Sequence, residues 1–480
     1  MDLPDGLVAV VKRDCPTCVL VEPVLQQLAA ATALTVWSQD DPGFPGGLPV
    51  VDDRELERSW RTGVETVPTL LRVEGGVEVE RLQGWWREDW ERVSGVSGLG
   101  EGLPDHRPGC GSRSVEWGVA EELERRWGGR VLASRQVELA DLEDDVEAAY
   151  DRGWTDGLPV VPPTEERVLR MLKGTHRAPD EVVAVVPPDL VPCTVEKVAV
   201  NAVMAGCLPE HLPVVLAAVE AACTDAFNVH GLLATTYFSS PVVVVGGPVA
   251  RAVGMNSGGN ALGQGNRANA TIGRALQLVV RNVGGGRPGE IDRATLGNPG
   301  KYTFCFAEDG EGSPFGSLAA SRGVEGSAVT LFAGAGVSPV VDQISRTPES
   351  LARTFALALR AVAHPKLVLA FDALLVVAPE HARVFAEAGW DRARLLAELE
   401  PLLVLQPEEV RRGSGGVDEG MPPGLDAAPL PKFRPGGLLI ASAGGTAGMF
   451  SAVLGGWVSG STGSEPVTVP VAGPPTSEES

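Results

Sequence analysis

The chain has 480 residues, of which 44% are hydrophobic and 21% are charged, a composition that suits a folded protein with a full apolar core. Acidic residues outnumber basic residues by 62 to 40, so the net charge is −22 at neutral pH. An acidic chain repels phosphate backbones and anionic membrane surfaces, which argues against nucleic-acid and membrane partners but still allows a local basic pocket for a small anion.

The first twelve residues lack the basic and apolar stretches of a secretory signal, and no apolar run of the sequence is long enough to span a membrane. We therefore expect a cytoplasmic protein. The chain carries seven cysteines, an odd number that does not indicate a disulfide scaffold in such a protein. We expect free thiols, except where a pair takes part in a redox cycle.

The first 93 residues alternate between strand-like and helix-like patterns. Short apolar runs predict strands at 7–11 and 34–37, and a Gly-Gly turn between two alternating runs predicts a hairpin over 69–82. Helices are predicted at 19–31, at 52–61 with an aspartate N-cap, and at 85–93.

Cys15 and Cys18 form a Cys-x-x-Cys motif between the first strand and the first helix. A helix N-terminus stabilises a thiolate on the first cysteine, and the second lies one turn along, within reach of a mixed disulfide. This spacing predicts Cys15 as the attacking thiol and Cys18 as the resolving thiol. A structural zinc site is the alternative interpretation, but zinc would need further ligands at similar spacing, and the sequence has no second Cys-x-x-Cys.

The order strand, Cys-x-x-Cys, helix, strand, helix, Val67-Pro68-Thr69, hairpin and helix resembles the thioredoxin superfamily. The resemblance covers about residues 5–93 and implies a thioredoxin-like domain over residues 1–95 with a redox-active disulfide. It also implies that Pro68 follows a cis peptide bond and packs beside the two sulfur atoms.

Residues 96–135 are rich in Gly, Ser and Pro at their start, and we expect them to form a linker. Cys110 lies there between two glycines, where it could be exposed and available for thiol exchange. Residues 136–465 alternate strand-like and helix-like runs, which predicts a large layered α/β domain that carries the catalytic activity. Residues 466–480 are expected to form a disordered tail.

Two strands of this second part run into glycine-rich turns, at 241–247 and at 438–445. The similarity indicates either a duplicated half-domain or a chance match of two strand–turn units. Residues 105–460 resemble a group of bacterial proteins to which no activity is attached, through the strings at 107–112, 157–164, 195–207 and 256–274. That resemblance implies an enzyme-like domain and names no reaction.

The richest polar segment lies between a predicted strand and a predicted helix, at 256–274. Glycine-rich backbone followed by a helix N-terminus favours an anion, and an arginine there could bind a carboxylate or a phosphate. The segment matches neither a Rossmann fingerprint nor a P-loop. A capped Asn/Gly turn is the alternative. The predicted substrate-binding residues are Asn256, Asn260, Asn266, Arg267 and Asn269.

Two further cysteines of the second part are candidate nucleophiles. Cys305 ends a predicted strand shortly before Glu308, which could act as an acid or a base, and Cys207 lies close in sequence to His211. Buried core positions are the alternative for both thiols. The spacing of His and Cys residues in this region matches no known metal pattern, so no metal and no cofactor are predicted.

These observations predict a thiol–disulfide oxidoreductase module fused to a thiol-dependent reductase that acts on a small anionic substrate, with a thiol reductant system as a possible partner. In that hypothesis the first domain supplies electrons to Cys110, Cys207 or Cys305. Two alternatives stay open: a non-redox lyase or hydrolase regulated by the thioredoxin-like domain, and a thiol-exchange protein that binds protein clients.

Overall fold

A computed structural model describes residues 3–116, 118–128, 132–140, 143–460 and 462–473. The chain divides into two compact units, Met1–Val131 and Leu132–Ser480. Both units combine helices with mixed β-sheets, which confirms the predicted α/β class. Among the described residues, no helix combines the length and the apolar composition that crossing a bilayer requires.

The first unit contains nine short strands and five α-helices within its described residues. The strands are β1 (Gly6–Val11), β2 (Leu34–Ser38), β3 (Val50–Asp52), β4 (Thr66–Val67), β5 (Thr69–Glu74), β6 (Val77–Gln83), β7 (Trp85–Trp86), β8 (His106–Arg107) and β9 (Cys110–Gly111). The helices are α1 (Pro16–Leu20), α2 (Glu22–Ala31), α3 (Glu57–Arg61), α4 (Arg87–Ser94) and α5 (Val119–Trp127).

Five of these strands form one mixed sheet in the order β3-β2-β1-β5-β6. β1 is parallel to β2 and antiparallel to β5, and β5 continues into the antiparallel hairpin with β6. Residues 7–11 of β1 are all buried, because this strand lies in the middle of the sheet and is covered on both faces. The sheet places the end of β1 directly before the Cys-x-x-Cys motif.

The segment expected to be a linker is structured over much of its length. β8 pairs with β7, β9 pairs with β4, and α5 follows. The first unit therefore extends to Val131 rather than to residue 95. Two-residue strands carry no periodic signal, and their pairing partners are distant in sequence, so composition alone indicated a linker.

The second unit contains a helical part, a β-hairpin and a large sheet. Its helices are α6 (Asp145–Asp151), α7 (Glu165–Leu172), α8 (Val195–Ala205), α9 (Leu212–Ala222), α10 (Val229–Ala234), α11 (Pro248–Ala252), α12 (Arg267–Asn282), α13 (Leu318–Ser321), α14 (Pro348–Arg360), α15 (Pro379–Glu387), α16 (Arg392–Leu402) and α17 (Pro407–Val410). Its strands are β10 (Val182–Val186), β11 (Val191–Thr194), β12 (Ser240–Gly246), β13 (Cys305–Ala307), β14 (Ala328–Val341), β15 (Phe371–Val377), β16 (Val404–Leu405), β17 (Leu430–Pro431), β18 (Leu438–Ser442), β19 (Phe450–Val458) and β20 (Val467–Pro470).

The large sheet has the order β13-β12-β14-β19-β15-β18, and β20 pairs with β14. All six strands of the main order contribute to one inner core, which includes Val244, Phe306 and Leu454. The sheet is curled, since the chain after the edge strand β13 reaches the opposite edge strand β18: the Asp309 N–H donates to the Ser442 carbonyl at 2.7 Å. The outer face packs on helices in two further cores, so the unit is layered as predicted.

The sheet is built from two similar halves. In the first, β13 is parallel and β14 antiparallel to β12; in the second, β18 is parallel and β19 antiparallel to β15. The halves meet where β14 pairs antiparallel with β19. The strand-and-turn similarity of the sequence links β12 with β18, whereas the equivalent of β12 in this arrangement is β15.

The predicted disordered tail begins with a strand. Residues 467–470 form β20, which pairs antiparallel with residues 328–331 of β14. This part of the prediction is wrong, because a short Val- and Thr-containing run between prolines was not recognised as an edge strand. Residues 474–480 of the predicted tail lie outside the described residues.

Candidate functional site

Cys15 is the residue that caps helix α1. Its sulfur accepts a hydrogen bond from the Cys18 N–H at 3.3 Å, and Pro16 occupies the first turn, where no backbone donor is needed. The Val67 carbonyl oxygen lies 3.5 Å from the same sulfur, and it accepts a hydrogen bond when Cys15 is protonated. The sulfur is thus held between the start of α1 and the residue before Pro68.

The surroundings shift the pKa values of the two thiols of the motif in opposite directions. Hydrogen bonding from the Cys18 thiol lowers the pKa of Cys15 to about 5, against an opposing effect of burial. Burial raises the pKa of Cys18, and the hydrogen bond that it donates to Cys15 adds to this effect. At neutral pH Cys15 is therefore a thiolate and Cys18 a thiol, the arrangement that thiol–disulfide exchange requires of an attacking and a resolving residue.

Cys110 is the third thiol of this site. It lies on β9 directly opposite Val67 of β4, whose carbonyl oxygen is beside the Cys15 sulfur. The Cys110 side chain contributes to the low pKa of Cys15, while burial raises the pKa of Cys110 itself. The prediction that Cys110 lies in a linker is wrong, because its strand belongs to the first unit, while its service to the second domain stays a prediction.

The segment around Cys110 packs closely on the motif. The Thr17 hydroxyl donates to the Pro108 carbonyl at 2.7 Å. A Cβ atom at Gly109 would lie 2.4 Å from the Thr66 methyl group and 2.7 Å from the Val67 carbonyl oxygen, so only glycine allows this approach. Cys110 stays half-buried, whereas Cys15 is 1% exposed, so the outermost of the three thiols is Cys110.

The Val67–Pro68 peptide bond is cis, as the resemblance implied. The Pro68 carbonyl accepts a hydrogen bond from the Gly84 N–H at 2.8 Å, which ties this corner to the end of β6. Pro68 therefore lies next to the residue that contacts the Cys15 sulfur. Its own role in exchange remains a prediction.

A buried polar network that the sequence did not indicate fixes the chain after Cys110. The Gln39 side-chain amide donates to Ser59 at 2.8 Å and to Ser112 at 2.7 Å, and its carbonyl oxygen accepts from the Arg113 N–H. The Ser59 hydroxyl in turn donates to the carboxylate of Asp53, a residue whose pKa burial raises. A single glutamine after a predicted strand gives no signal of this kind, because its partners are distant in sequence.

Cys207 and Cys305 of the second unit are core residues. Both thiols are buried, and burial raises the pKa of Cys207 to about 12 and that of Cys305 further. The His211 Nδ1 atom accepts the Leu208 N–H at 3.1 Å, so this nitrogen is not free to take a proton from Cys207. The structure therefore favours the interpretation of Cys207 and Cys305 as buried core residues over their interpretation as nucleophiles.

Glu308 is a helix-capping residue rather than a partner of Cys305. The Glu308 N–H continues the pairing of β13 with β12. Side chains alternate between the two faces of a strand, and Glu308 is three residues after Cys305, so the two side chains point to opposite faces. The carboxylate accepts from the Ser317 hydroxyl at 2.6 Å and from the Leu318 N–H at 2.8 Å at the start of α13. The structure does not bring Glu308 and Cys305 together.

The asparagine-rich segment stabilises itself. Asn269 donates to the carbonyl of Asn256 at 2.8 Å and accepts the Asn256 N–H at 3.0 Å, and Asn266 caps α12 by accepting the Asn269 N–H. Asn260 donates to the Gln264 carbonyl at 2.6 Å. These side chains satisfy the loop's own backbone, as the capped-turn interpretation expects.

Arg267, the predicted anion-binding cation, donates through Nε to the Gly206 carbonyl at 2.9 Å. The same loop meets the second glycine-rich turn, since the Gly444 N–H donates to the Ser257 carbonyl at 2.8 Å. Anion binding by this loop pair stays a prediction, because the observed contacts explain its polar residues without a ligand.

No protein-family model matches the chain, and no curated protein sequence is significantly similar to it. Within the described parts of the chain, three or more His, Cys, Asp or Glu side chains nowhere come together in an arrangement suited to a metal ion. The cluster of Cys15, Cys18 and Cys110 is therefore the candidate site on which a functional proposal for the first unit rests.

Proposed function

We propose that the first unit is a thioredoxin-like thiol–disulfide exchange module in which three cysteines take part. The observation that carries this proposal is the state of Cys15: its sulfur caps α1 by accepting the Cys18 N–H, and the side chains of Cys18 and Cys110 both act to lower its pKa, which is about 5. A nucleophilic thiolate with resolving thiols in contact is what exchange chemistry needs.

The reaction proceeds in two substitutions at sulfur. The Cys15 thiolate attacks one sulfur of a partner disulfide, forms a mixed disulfide and releases the first partner thiolate. A thiolate of Cys18 or Cys110 then attacks the Cys15 sulfur and releases the second partner thiolate. The partner disulfide gains two electrons, the module becomes a disulfide, and an external dithiol reductant regenerates it.

The geometry favours Cys110 as the outer resolving residue. Cys18 is fully buried and its pKa is strongly raised, so its deprotonation is costly, whereas Cys110 is half-buried on the covering segment. Cys207 and Cys305 stay outside this proposal, because both thiols are buried within the second unit. The small anionic substrate predicted for the second unit is likewise not needed for exchange.

Trapping with glutathione disulfide tests the proposal. We expect the Cys18→Ser/Cys110→Ser double variant of the full chain to accumulate glutathione on Cys15, detected by peptide mass spectrometry. The single Cys18→Ser variant should instead form a Cys15–Cys110 disulfide and release the glutathione. Cys193→Ser, which removes a buried thiol of the second unit, serves as the matched control and should behave like the wild type.

An unmodified Cys15 in the double variant would overturn the exchange function. Stable glutathione on Cys15 in the single Cys18→Ser variant would retain the exchange function but exclude Cys110 as a resolving residue.

A further inference from the structure

A cavity of about 570 Å³ lies in the second unit beside the C-terminal half of α12. The rest of its lining comes from α10, the start of β12, the chain at 286–302 and Asp156. The volume falls in the range of small-molecule sites, and apolar lining residues such as Leu233, Val280 and Tyr302 offer a surface for an organic group.

Arg281, in the last turn of α12, lines this cavity without a partner of its own. Neither an ion pair nor a side-chain hydrogen bond joins it to any residue that the structure describes, and its Nε atom is buried and unpaired. The Nε atom of Arg287, which lies between the lining residues Gly286 and Pro288, is also buried and unpaired. Both side chains are half-buried, and a buried N–H donor is ordinarily paired, so two neighbouring Nε atoms without a partner require an explanation.

The carboxylates that line the cavity do not compensate these charges. Asp156 accepts two hydrogen bonds from Arg274, at 2.8 and 2.7 Å, and Asp292 accepts two from Lys301, at 2.8 and 2.7 Å. Glu290, the other acid that acts on Arg281, is exposed to solvent.

The pKa of Arg281 is lowered, as expected for a cation without a paired carboxylate. Burial lowers this pKa, and the charge of Arg287 lowers it further, while Asp156 and Glu290 raise it. Repulsion between two guanidinium groups is what an anion placed near them would relieve.

Ser239 provides an independent sign of a ligand. This residue is 1% exposed and lines the same cavity, and its hydroxyl has no hydrogen-bond partner. A buried hydroxyl without a partner is uncommon in folded proteins. An unpaired hydroxyl and an unpaired guanidinium on one cavity form a donor set for an oxygen anion.

We propose that this cavity binds a small organic anion, a carboxylate or a phosphate ester with an apolar group, and that Arg281 is its main charge partner. The planar guanidinium fork suits both oxygen anions. The cavity differs from the segment around Arg267 that the sequence suggested, and its function does not depend on the thiols of the first unit.

Calorimetric titration of the full chain with three probes of one shape tests this inference. Benzoate and phenyl phosphate carry the two candidate anions, and benzyl alcohol is their neutral counterpart. We expect saturable binding of at least one anion and little binding of benzyl alcohol. The anion that binds more tightly identifies the class of ligand.

Arg281→Gln should weaken the binding of that anion about tenfold or more, because the anion loses a charge-assisted hydrogen bond. Arg353→Gln removes the same charge from an exposed residue of α14, which does not line the cavity, and should leave the affinity unchanged. The inference is overturned if neither anion binds in the millimolar range, if benzyl alcohol binds as tightly, or if both variants lose affinity equally.

The stability of the unliganded protein provides a second readout. Arg281→Gln removes a half-buried guanidinium group and Ser239→Ala a buried hydroxyl, and neither group has a partner, so neither substitution should lower the midpoint of thermal unfolding. A clear destabilisation by both substitutions would show that these groups support the fold, and it would overturn their assignment to a ligand.

Discussion

Cysteines of this one chain have pKa values shifted in opposite directions by their surroundings. The Cys15 sulfur accepts hydrogen bonds at the start of a helix, whereas Cys305 lies in an apolar core where burial raises its pKa. The Cys-x-x-Cys spacing predicted the first environment because its largest determinant, the side chain of Cys18, is local, whereas the contribution of Cys110 is not. No local pattern separates Cys207 or Cys305 from a nucleophile, since burial depends on helices and strands that are distant in sequence.

The hydrogen bond from Cys18 is the largest cause of the low Cys15 pKa, so its removal should be measurable. In the reduced protein we expect thiolate absorbance at 240 nm to be lost as the pH falls through about 5. Cys18→Ala should move this midpoint to higher pH, because the thiolate loses a donor while Cys110 remains.

Cys193→Ala is the control for this titration, because burial raises the pKa of Cys193 to about 11 and its thiol does not ionise in the acidic range. A midpoint that is equal in wild type and Cys18→Ala would contradict the assignment of the hydrogen bond.

Among the secondary-structure elements, the short strand β9 matters most for the site. It carries Cys110, and its pairing with β4 depends on the close approach of Gly109 to Thr66 and Val67. The apolar runs of α8 and α9 give a strong local signal, because both helices are buried along almost their whole length. β9 has only two residues and a long-range partner, so the sequence suggested a linker there.

Gly109→Ala should loosen β9 from β4 and lower the free energy of unfolding of the first unit by about 1–3 kcal/mol, because the added methyl group overlaps the Thr66 side chain and the Val67 backbone. Loosening this cover should also speed the alkylation of Cys15 by iodoacetamide at neutral pH. Urea unfolding and peptide mass spectrometry measure the two effects.

Gly111→Ala is the matched control for this substitution, since a Cβ atom at Gly111 meets nothing within 4 Å. Equal effects of the two substitutions would show that the loss of a glycine from this segment, rather than the close approach at Gly109, causes the change in stability and alkylation rate.

At the scale of the whole molecule, pairing between distant strands was the least predictable feature. The alternating runs indicated an α/β class and a layered second unit, but they could not specify that β13 and β18 close a curled sheet from opposite edges. A similarity of strand and turn linked β12 to β18, while the repeat in the structure relates β12 to β15. Sequence similarity between two short strands does not determine their position in a sheet.

The domain boundary was also misplaced, and the reason leads to a prediction about folding. Residues 96–115 supply hydrogen-bond partners to buried side chains of the first unit: the Trp85 indole N–H donates to the Pro104 carbonyl at 2.7 Å, and the Ser112 hydroxyl accepts from the Gln39 amide. The first unit also has a hydrophobic core of its own. A fragment of residues 1–131 should therefore fold by itself, unfold cooperatively on heating and retain a Cys15 pKa near 5.

A fragment of residues 1–95, which ends where the sequence pattern suggested, is the informative comparison. It leaves the Trp85 indole and the Gln39 amide without these partners, and each buried unpaired group costs about 1–3 kcal/mol. In a unit of this size that loss lowers the unfolding midpoint by roughly ten degrees or more, or prevents folding. Differential scanning calorimetry of the two fragments distinguishes the boundaries, and equal midpoints would mean that residues 96–131 add nothing to the stability of the first unit.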